Sequence, residues 1–564
     1  MLRRTRVQLA ALAMVLLTAC SGGRLGSGPP APPSPTLPPT AAEAARFLTQ
    51  ATFGATDDSI AAVKQEGYSN WINEQAAMAP SANHLAFMQA RRALPGAPNP
   101  SVNEWYGSFW SQTATGPDQL RQRVKLALSE IFVISLNDPN VRELGAASYY
   151  DMLGANAFGN YRNILELVTL HPSMGIYLTW LANQKEDPAT GRNPDENYAR
   201  EVMQLMTVGV FQLNNDGTNK LDQAGRPIPT YTADDIGGLA KVFTGYSWYS
   251  PSPTNNTFRG SPKDPTADYR SMIPYPAFHS LSAKTFLGTT IPASATANPA
   301  GDLKIALDTL FNHPNVGPFI SKQLIQRLVT SNPTPAYVGR VAAVFNNNGS
   351  GVRGDMAAVV KAILLDPEAR NTAAAMADPN FGKLREPVVR MANWMRAFSA
   401  QSASGGWLLA TTSSNTSLSQ SALASPSVFN FFRPGYSPPG TKLGNLGYVA
   451  PEFQVVDEVS SAGYINTMQS AVGNGVGSAA DIKSGYATEI AIANDASALV
   501  ERMNLLLLNG QMSTTLRTKM TEAVSAVAIP GGAASQATIT AALTNRAKLA
   551  IFMAMVSPEY LVQR

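Results

Sequence analysis

The densest run of polar side chains is Asn193-Pro194-Asp195-Glu196-Asn197-Tyr198-Ala199-Arg200-Glu201. Its order is that of a helix start. Asn193 suits the N-cap, Pro194 the first helical position, and Glu196 the reciprocal capping position. Asp195 and Glu196 also suit the positive end of the helix dipole. Further on, Tyr198, Val202, Leu205 and Met206 form an apolar face, while Asn197, Glu201 and Gln204 share one side. A carboxylate bordering a buried face needs a partner, and without one its pKa rises. Glu201 is therefore a candidate general base or metal ligand, with Glu196, Asn197 and Arg200 beside it as catalytic or ligand-binding groups. The competing reading pairs Glu201 with Arg162 or Arg200. His171, at a helix corner before Pro172, can face Glu201 across a helix pair as an acid–base dyad, or it can simply cap its helix. His279, in Phe278-His279-Ser280, lies in a Pro-, Asn- and Thr-rich excursion, where functional residues concentrate.

Other chemistries lack their residues. Cys20 is the single cysteine, so an intramolecular disulfide, a Cys-based zinc site and a thiol nucleophile in the body are excluded. With four histidines (His84, His171, His279, His313) any His-rich metal site is limited, and the identity of a metal or cofactor is left open. No phosphate loop, GxSxG elbow or HExxH pair occurs. Asn214-Asn215-Asp216-Gly217 hints at a calcium loop, but the later ligand positions would be Lys220 and Gln223. Arg353-Gly354-Asp355 precedes an apolar run, where Asp355 is a natural N-cap.

Cys20 has its own context. Arg3, Arg4 and Arg6 precede an apolar run from Leu9 to Leu17, which ends in Leu17-Thr18-Ala19-Cys20. That is the layout of an export signal over residues 1–19. The run is about half the roughly 20 residues a membrane-spanning helix needs. Leu-Thr-Ala-Cys resembles the lipobox of bacterial lipoproteins, which implies lipidation of Cys20 and cleavage before it. Ser21 in the next position implies, by the same resemblance, the outer membrane. A twin-arginine signal fits less well because Arg6 replaces an apolar residue. Residues 21–40 hold seven prolines and predict a semi-rigid polyproline tether.

The elements that must position these groups are mainly helices. After the tether, hydrophobic content of 45% predicts a large globular body, of two or three domains by length. The charged fraction is 15% and the net charge +4, three of which come from the leader's arginines, so no electrostatic case for nucleic acid exists. Helical periodicity predicts helices over 41–50, 57–76, 120–135, 148–158, 161–170, 173–183, 194–209, 233–244, 302–312, 317–329, 335–346, 355–365, 383–399, 452–469, 497–507, 513–526 and 536–557. On the 120–135 helix, Arg121, Arg123 and Glu130 are expected to point away from the apolar side. Residues 211–231 predict short extended pieces around two turns, 250–300 an irregular excursion, and 400–427 a loop or an interdomain boundary. The fold class is thus mostly α: a multi-helix body over 41–564 with few short strands, following the tether. Leu165-Glu166, His171-Pro172 and Gly175 are echoed by Leu307-Asp308, His313-Pro314 and Gly317.

Seven segments carry a family resemblance: Arg46 to Gly54, Asn156 to Asn160 with Leu170-His171-Pro172, Pro194 to Glu201, Val242 to Gly245, Gly351 to Asp355, Lys383 to Pro387, and Pro426 to Pro434. Together they resemble the bacterial domain-of-unknown-function 1800 (DUF1800) family from about residue 44 to the end. The resemblance implies a secreted, mostly helical module with no established activity. It also implies a candidate partner, an exported protein of the domain-of-unknown-function 1501 (DUF1501) family. Ser280 stands where an acidic residue often follows the matched histidine, and Gln204 where many members carry Glu. Two functions stay open: a lipid-anchored envelope scaffold or binding protein for an exported partner or cell-wall polymer, and an envelope hydrolase using His171, Glu196 and Glu201, with or without a metal.

Overall fold

The computed structural model describes residues 38–564 except Ala82, residues 94–100 and Ala533. The leader, Cys20 and most of the tether lie outside the described residues. Residues Pro39–Arg564 form one compact unit, and the loop region 400–427 is packed into it, with Trp407, Leu418, Ala422 and Leu423 buried. The unit is mostly helical, with four two-stranded antiparallel sheets of very short strands among the described residues. The ribbon expected at 211–231 is present as paired turns, with Gln212 N donating to Ile228 O at 2.8 Å and Lys220 N to Gln212 O at 2.7 Å.

Several element boundaries differ from the expectation, each for a local reason. The 57–76 helix is two helices, Asp57–Glu66 and Tyr68–Ala77, because Gly67 adopts φ 76° between them. The 173–183 helix stops at Tyr177, and Thr179 and Ala182 follow with left-handed backbone. The 383–399 helix begins only at Pro387; Lys383–Leu384 pair instead with Val562–Gln563. The 194–209 helix is only Asn197–Gln204. Upstream, Asn183 Oδ1 accepts from Asp195 N at 2.9 Å and Asp195 Oδ1 from Asn197 N at 2.8 Å, which holds the preceding segment out of the helix. Helices His84–Arg92 and Val102–Thr115 were not expected.

The largest correction concerns Gln119–Ser129, where the 120–135 helix was expected. Every residue in it is buried, and helices Ala41–Ala51, Tyr68–Ala77, Val102–Thr115, Glu143–Ala155 and Val316–Leu328 pack around it. It has no solvent side for Arg121 and Arg123 to face. Glu130, which caps its C-terminus, is buried too.

A body of many buried helix ends carries many carbonyls without intrahelical donors. Arginines meet this need. Arg121 reaches Gly154 O, Ala76 O and Met78 O at 2.8–3.2 Å. Arg353 reaches Phe311 O and His313 O, Arg385 reaches Leu507 O, and Arg46 reaches Ala369 O and Arg564 O. Gln536–Val556 is long and apolar enough to cross a membrane, but it packs against five other helices, and its Arg546 donates to the carbonyls of Ala493, Asn494, Ser525 and Val527. The two His-Pro corners are built alike: His171 Nδ1 accepts from Ser173 N and His313 Nδ1 from Asn315 N, both at 3.2 Å. Arg162 ties the echo together by pairing with both Glu166 and Asp308 at 2.7 Å.

Candidate functional site

A cleft of about 840 Å³ opens between the helix Val316–Leu328, the chain after Gln204, and the segment 428–437. Its walls are stapled to that helix by buried amides. Asn315, just before the helix, donates to Val208 O and Phe211 O at 2.8 Å and accepts from Leu213 N at 2.9 Å. Gln326 Nε2 donates to Pro434 O at 3.2 Å on the other wall. Gly209 makes the first wall possible. It has φ 70°, and a Cβ there would lie 2.9 Å from the Phe319 ring.

The floor is ionic. Arg327 Nε lies 3.4 Å from Glu130 Oε2, and Arg327 Nη2 donates to Glu130 O at 2.9 Å. Behind them sit Arg123, Lys383, Glu386 and Glu452, all buried. Glu386 Oε1 is 3.7 Å from Arg123 and 3.5 Å from Lys383, and its Oε2 accepts from Gln420 Nε2 at 2.9 Å. Lys383 also pairs with Glu452 at 2.9 Å and donates to Arg327 O at 2.7 Å. Burial would raise the Glu386 pKa, but Lys383, a proton shared from Glu130, Arg123 and Gln420 outweigh it and hold it at about 2. Burial and the Glu386 charge push the Glu130 carboxyl well above the usual range, against the opposing pull of Arg327 and Lys383. Burial and the neighbouring carboxylate thus favour the protonated form of Glu130, while its cations favour the ionised form of Glu386.

The rim is different. Lys322 and Arg433 are exposed and make no ion pair among the described residues. Arg433 lies over the Phe429 ring at 4.7 Å. Val210 and Phe211 are exposed apolar neighbours, at 46% and 40%.

The residues singled out in the sequence do not gather here. His171 is a buried corner residue; its Nε2 faces Ser148 Oγ at 3.4 Å, and burial drives its pKa down to about 3. No hydrogen bond or ion pair joins it to Glu201 among the described residues. Glu196 pairs with Arg200 at 3.2 Å on the surface, and Asn197 Nδ2 donates to Thr179 Oγ1 at 3.3 Å. Glu201 is buried, its Oε2 lacks a hydrogen bond, and burial raises its pKa against the pull of Arg200. Arg162 is not its partner, being held by Glu166 and Asp308. His279 is wholly buried. Its Nδ1 meets Thr244 O at 2.8 Å and its Nε2 meets Asp302 at 2.9 Å, where Lys284 also pairs. Cys20 lies outside the described residues. Of the Asn197, Glu201 and Gln204 side, only Gln204 reaches the cleft. Among the described residues, no three His, Cys, Asp or Glu side chains gather in an arrangement that holds a metal.

Sequence reasoning missed Lys322, Arg327, Arg433 and Tyr436, and assigned Glu130 to a solvent face. The usable signal was the Pro426–Pro434 segment, whose Phe429 and Arg433 line one wall.

These features define a mainly helical body with an ion-paired cleft floor and an open, cationic and aromatic rim. The chain belongs to the DUF1800 family, described as proteins of unknown function, whose model matches residues 46–562. No curated protein and no solved structure matches it.

Proposed function

We propose that this is a lipid-anchored cell-envelope binding protein, held by Cys20 and a proline-rich tether, whose cleft grips an exported partner or a cell-wall polymer. The carrying observation is the rim: two exposed cations with no carboxylate partner among the described residues, Lys322 and Arg433, next to exposed Val210 and Phe211. Sites with convergent polar groups on an apolar wall are the usual form of a ligand cleft. An exported DUF1501 protein is the candidate protein partner. The anchor reading places the body in the exported compartment, and the Ser21 position favours the outer membrane.

The test is a pull-down of tagged full-length protein from crosslinked, detergent-solubilised envelopes. Cys20→Ala and Phe211→Ser run alongside. A stoichiometric envelope component held by the wild type, and lost in both variants, supports the reading. Equal recovery with Phe211→Ser refutes the cleft as its site.

A further inference from the structure

We propose that the cleft binds an acidic polysaccharide, a chain of sugar rings carrying carboxylates, through the Lys322, Arg433 and Gln204 side chains and the Phe211, Phe429 and Tyr436 rings. This rests on the binding reading above and names its ligand class.

Three observations carry it. The first is charge. Lys322, Arg327 and Arg433 line the cleft, and among the described residues Glu130 is the only carboxyl in its lining. Glu130 sits on the floor, where its carboxyl end lies 3.4 Å from Arg327. The walls therefore present positive charge that no wall carboxylate neutralises.

The second is the kind of hydrogen-bonding group left free. Gln204 uses its Oε1 for Tyr231 at 3.3 Å, and its amide nitrogen makes no hydrogen bond among the described residues. The Lys322 ammonium makes none there, and the Arg433 guanidinium has only its ring contact. These three are donors. They ask for a ligand dense in acceptors. A sugar acid supplies carboxylate, ring and hydroxyl oxygens on every unit. Its hydroxyls donate as well as accept, and the Tyr436 hydroxyl, unpaired among the described residues, can take either role beside these donors.

The third is the aromatic surface. Phe211 is 40% exposed, Phe429 is half-buried under Arg433, and Tyr436 stands on the same wall with its hydroxyl unpaired among the described residues. Rings with an apolar face and polar neighbours suit the C–H faces of sugar rings, while the planar guanidinium that lies over Phe429 offers a carboxylate paired N–H groups. The volume of about 840 Å³ lies within the span of about 300–1,000 Å³ in which clefts enclose most of a drug-sized ligand, the scale of a short stretch of such a chain.

The experiment is calorimetric titration of the detergent-solubilised full-length protein with three probes: oligogalacturonate, the neutral glucan pullulan, and poly-L-glutamate. Lys322→Gln and Arg433→Gln are compared with Arg226→Gln, an exposed arginine that pairs with Asp222 and does not line the cleft. Circular dichroism confirms that each variant keeps the wild-type fold. The expected result is binding of oligogalacturonate, weakened about tenfold by Lys322→Gln and by Arg433→Gln, unchanged by Arg226→Gln, and reduced by salt. Pullulan does not bind, and poly-L-glutamate binds more weakly than the uronate.

Tighter binding of poly-L-glutamate overturns the glycan in favour of an acidic peptide and leaves the cleft as a binding site. Equal binding of pullulan overturns the charge argument. An equal loss with Arg226→Gln shows unspecific attraction of polyanions, and no binding of any probe sinks the proposal outright. The envelope pull-down with Phe211→Ser then decides separately whether the cleft binds anything.

Discussion

Replacing Glu130 with Gln should barely matter to the fold, whereas the same change at Glu386 should be severe. The two residues belong to one buried network, yet the structure gives them opposite roles. Glu386 carries the charge. Arg123 and Lys383 lie 3.7 and 3.5 Å from it, and at an effective dielectric of about 20 each attraction is about 4–5 kcal/mol before desolvation. Removing that charge leaves Arg123 buried without its carboxylate. Loss of one partner from a buried pair costs about 3–5 kcal/mol. Burial and the Glu386 charge raise the Glu130 pKa and favour its protonated form, which Gln matches in shape and charge. Its backbone carbonyl still receives Arg327 Nη2 at 2.9 Å, and the expected cost of Glu130→Gln is below about 1 kcal/mol. Urea unfolding followed by the fluorescence of the seven tryptophans measures both. The pH dependence adds a signed test. The Glu130 pKa is raised on folding, so the unfolded chain loses this proton at lower pH than the folded chain does. Its contribution to stability is present below the ordinary carboxylate pKa and is lost as pH rises toward the raised folded value. Glu130→Gln should remove that decline. Equal destabilisation by the two substitutions, or an unchanged pH slope in Glu130→Gln, would show that Glu130 is ionised in the folded protein.

The neutral His171 ring gives a slope of the opposite sign. Its folded pKa is depressed to about 3, so the unfolded chain alone takes up a proton as pH falls below about 6.5. Stability should drop by about 1.4 kcal/mol per pH unit from that source, and His171→Asn, which keeps an N-cap acceptor before Pro172, should lose that component in acid titrations. Gly238 lies in the helix Ala233–Val242 against the strand Lys284–Phe286, and a Cβ there would sit 1.8 Å from Thr285 O. Gly238→Ala should therefore cost about 1–3 kcal/mol or more by overpacking against backbone, and thermal melts matching the wild type would show that the helix and strand can part freely.

Legibility in the sequence followed solvent. Helices with one wet face, such as Tyr161–Leu170 and Pro335–Asn346, match their apolar spacing closely because burial is one-sided. The Gln119–Ser129 helix broke the inference for the same physical reason. Its charged positions imply a wet face only if partners are absent, and the partners come from helices about 200 and 260 residues away. Asn193-Pro194 failed more locally: a good cap sequence lost to hydrogen bonds from Asn183, which no pattern within the segment reveals. The cleft was illegible because four distant stretches build it. The family segments can still be sorted once the arginines are followed. Arg46, Arg353 and Arg385 each spend their guanidinium on buried carbonyls, and the segments that contain them hold helix ends together. In the Pro426–Pro434 segment, Arg433 reaches no carbonyl or carboxylate among the described residues and lies over Phe429 at the mouth of a cleft. A cation and an aromatic ring left in that position add nothing to the closure of helix ends, which is why the proposed ligand is set against them.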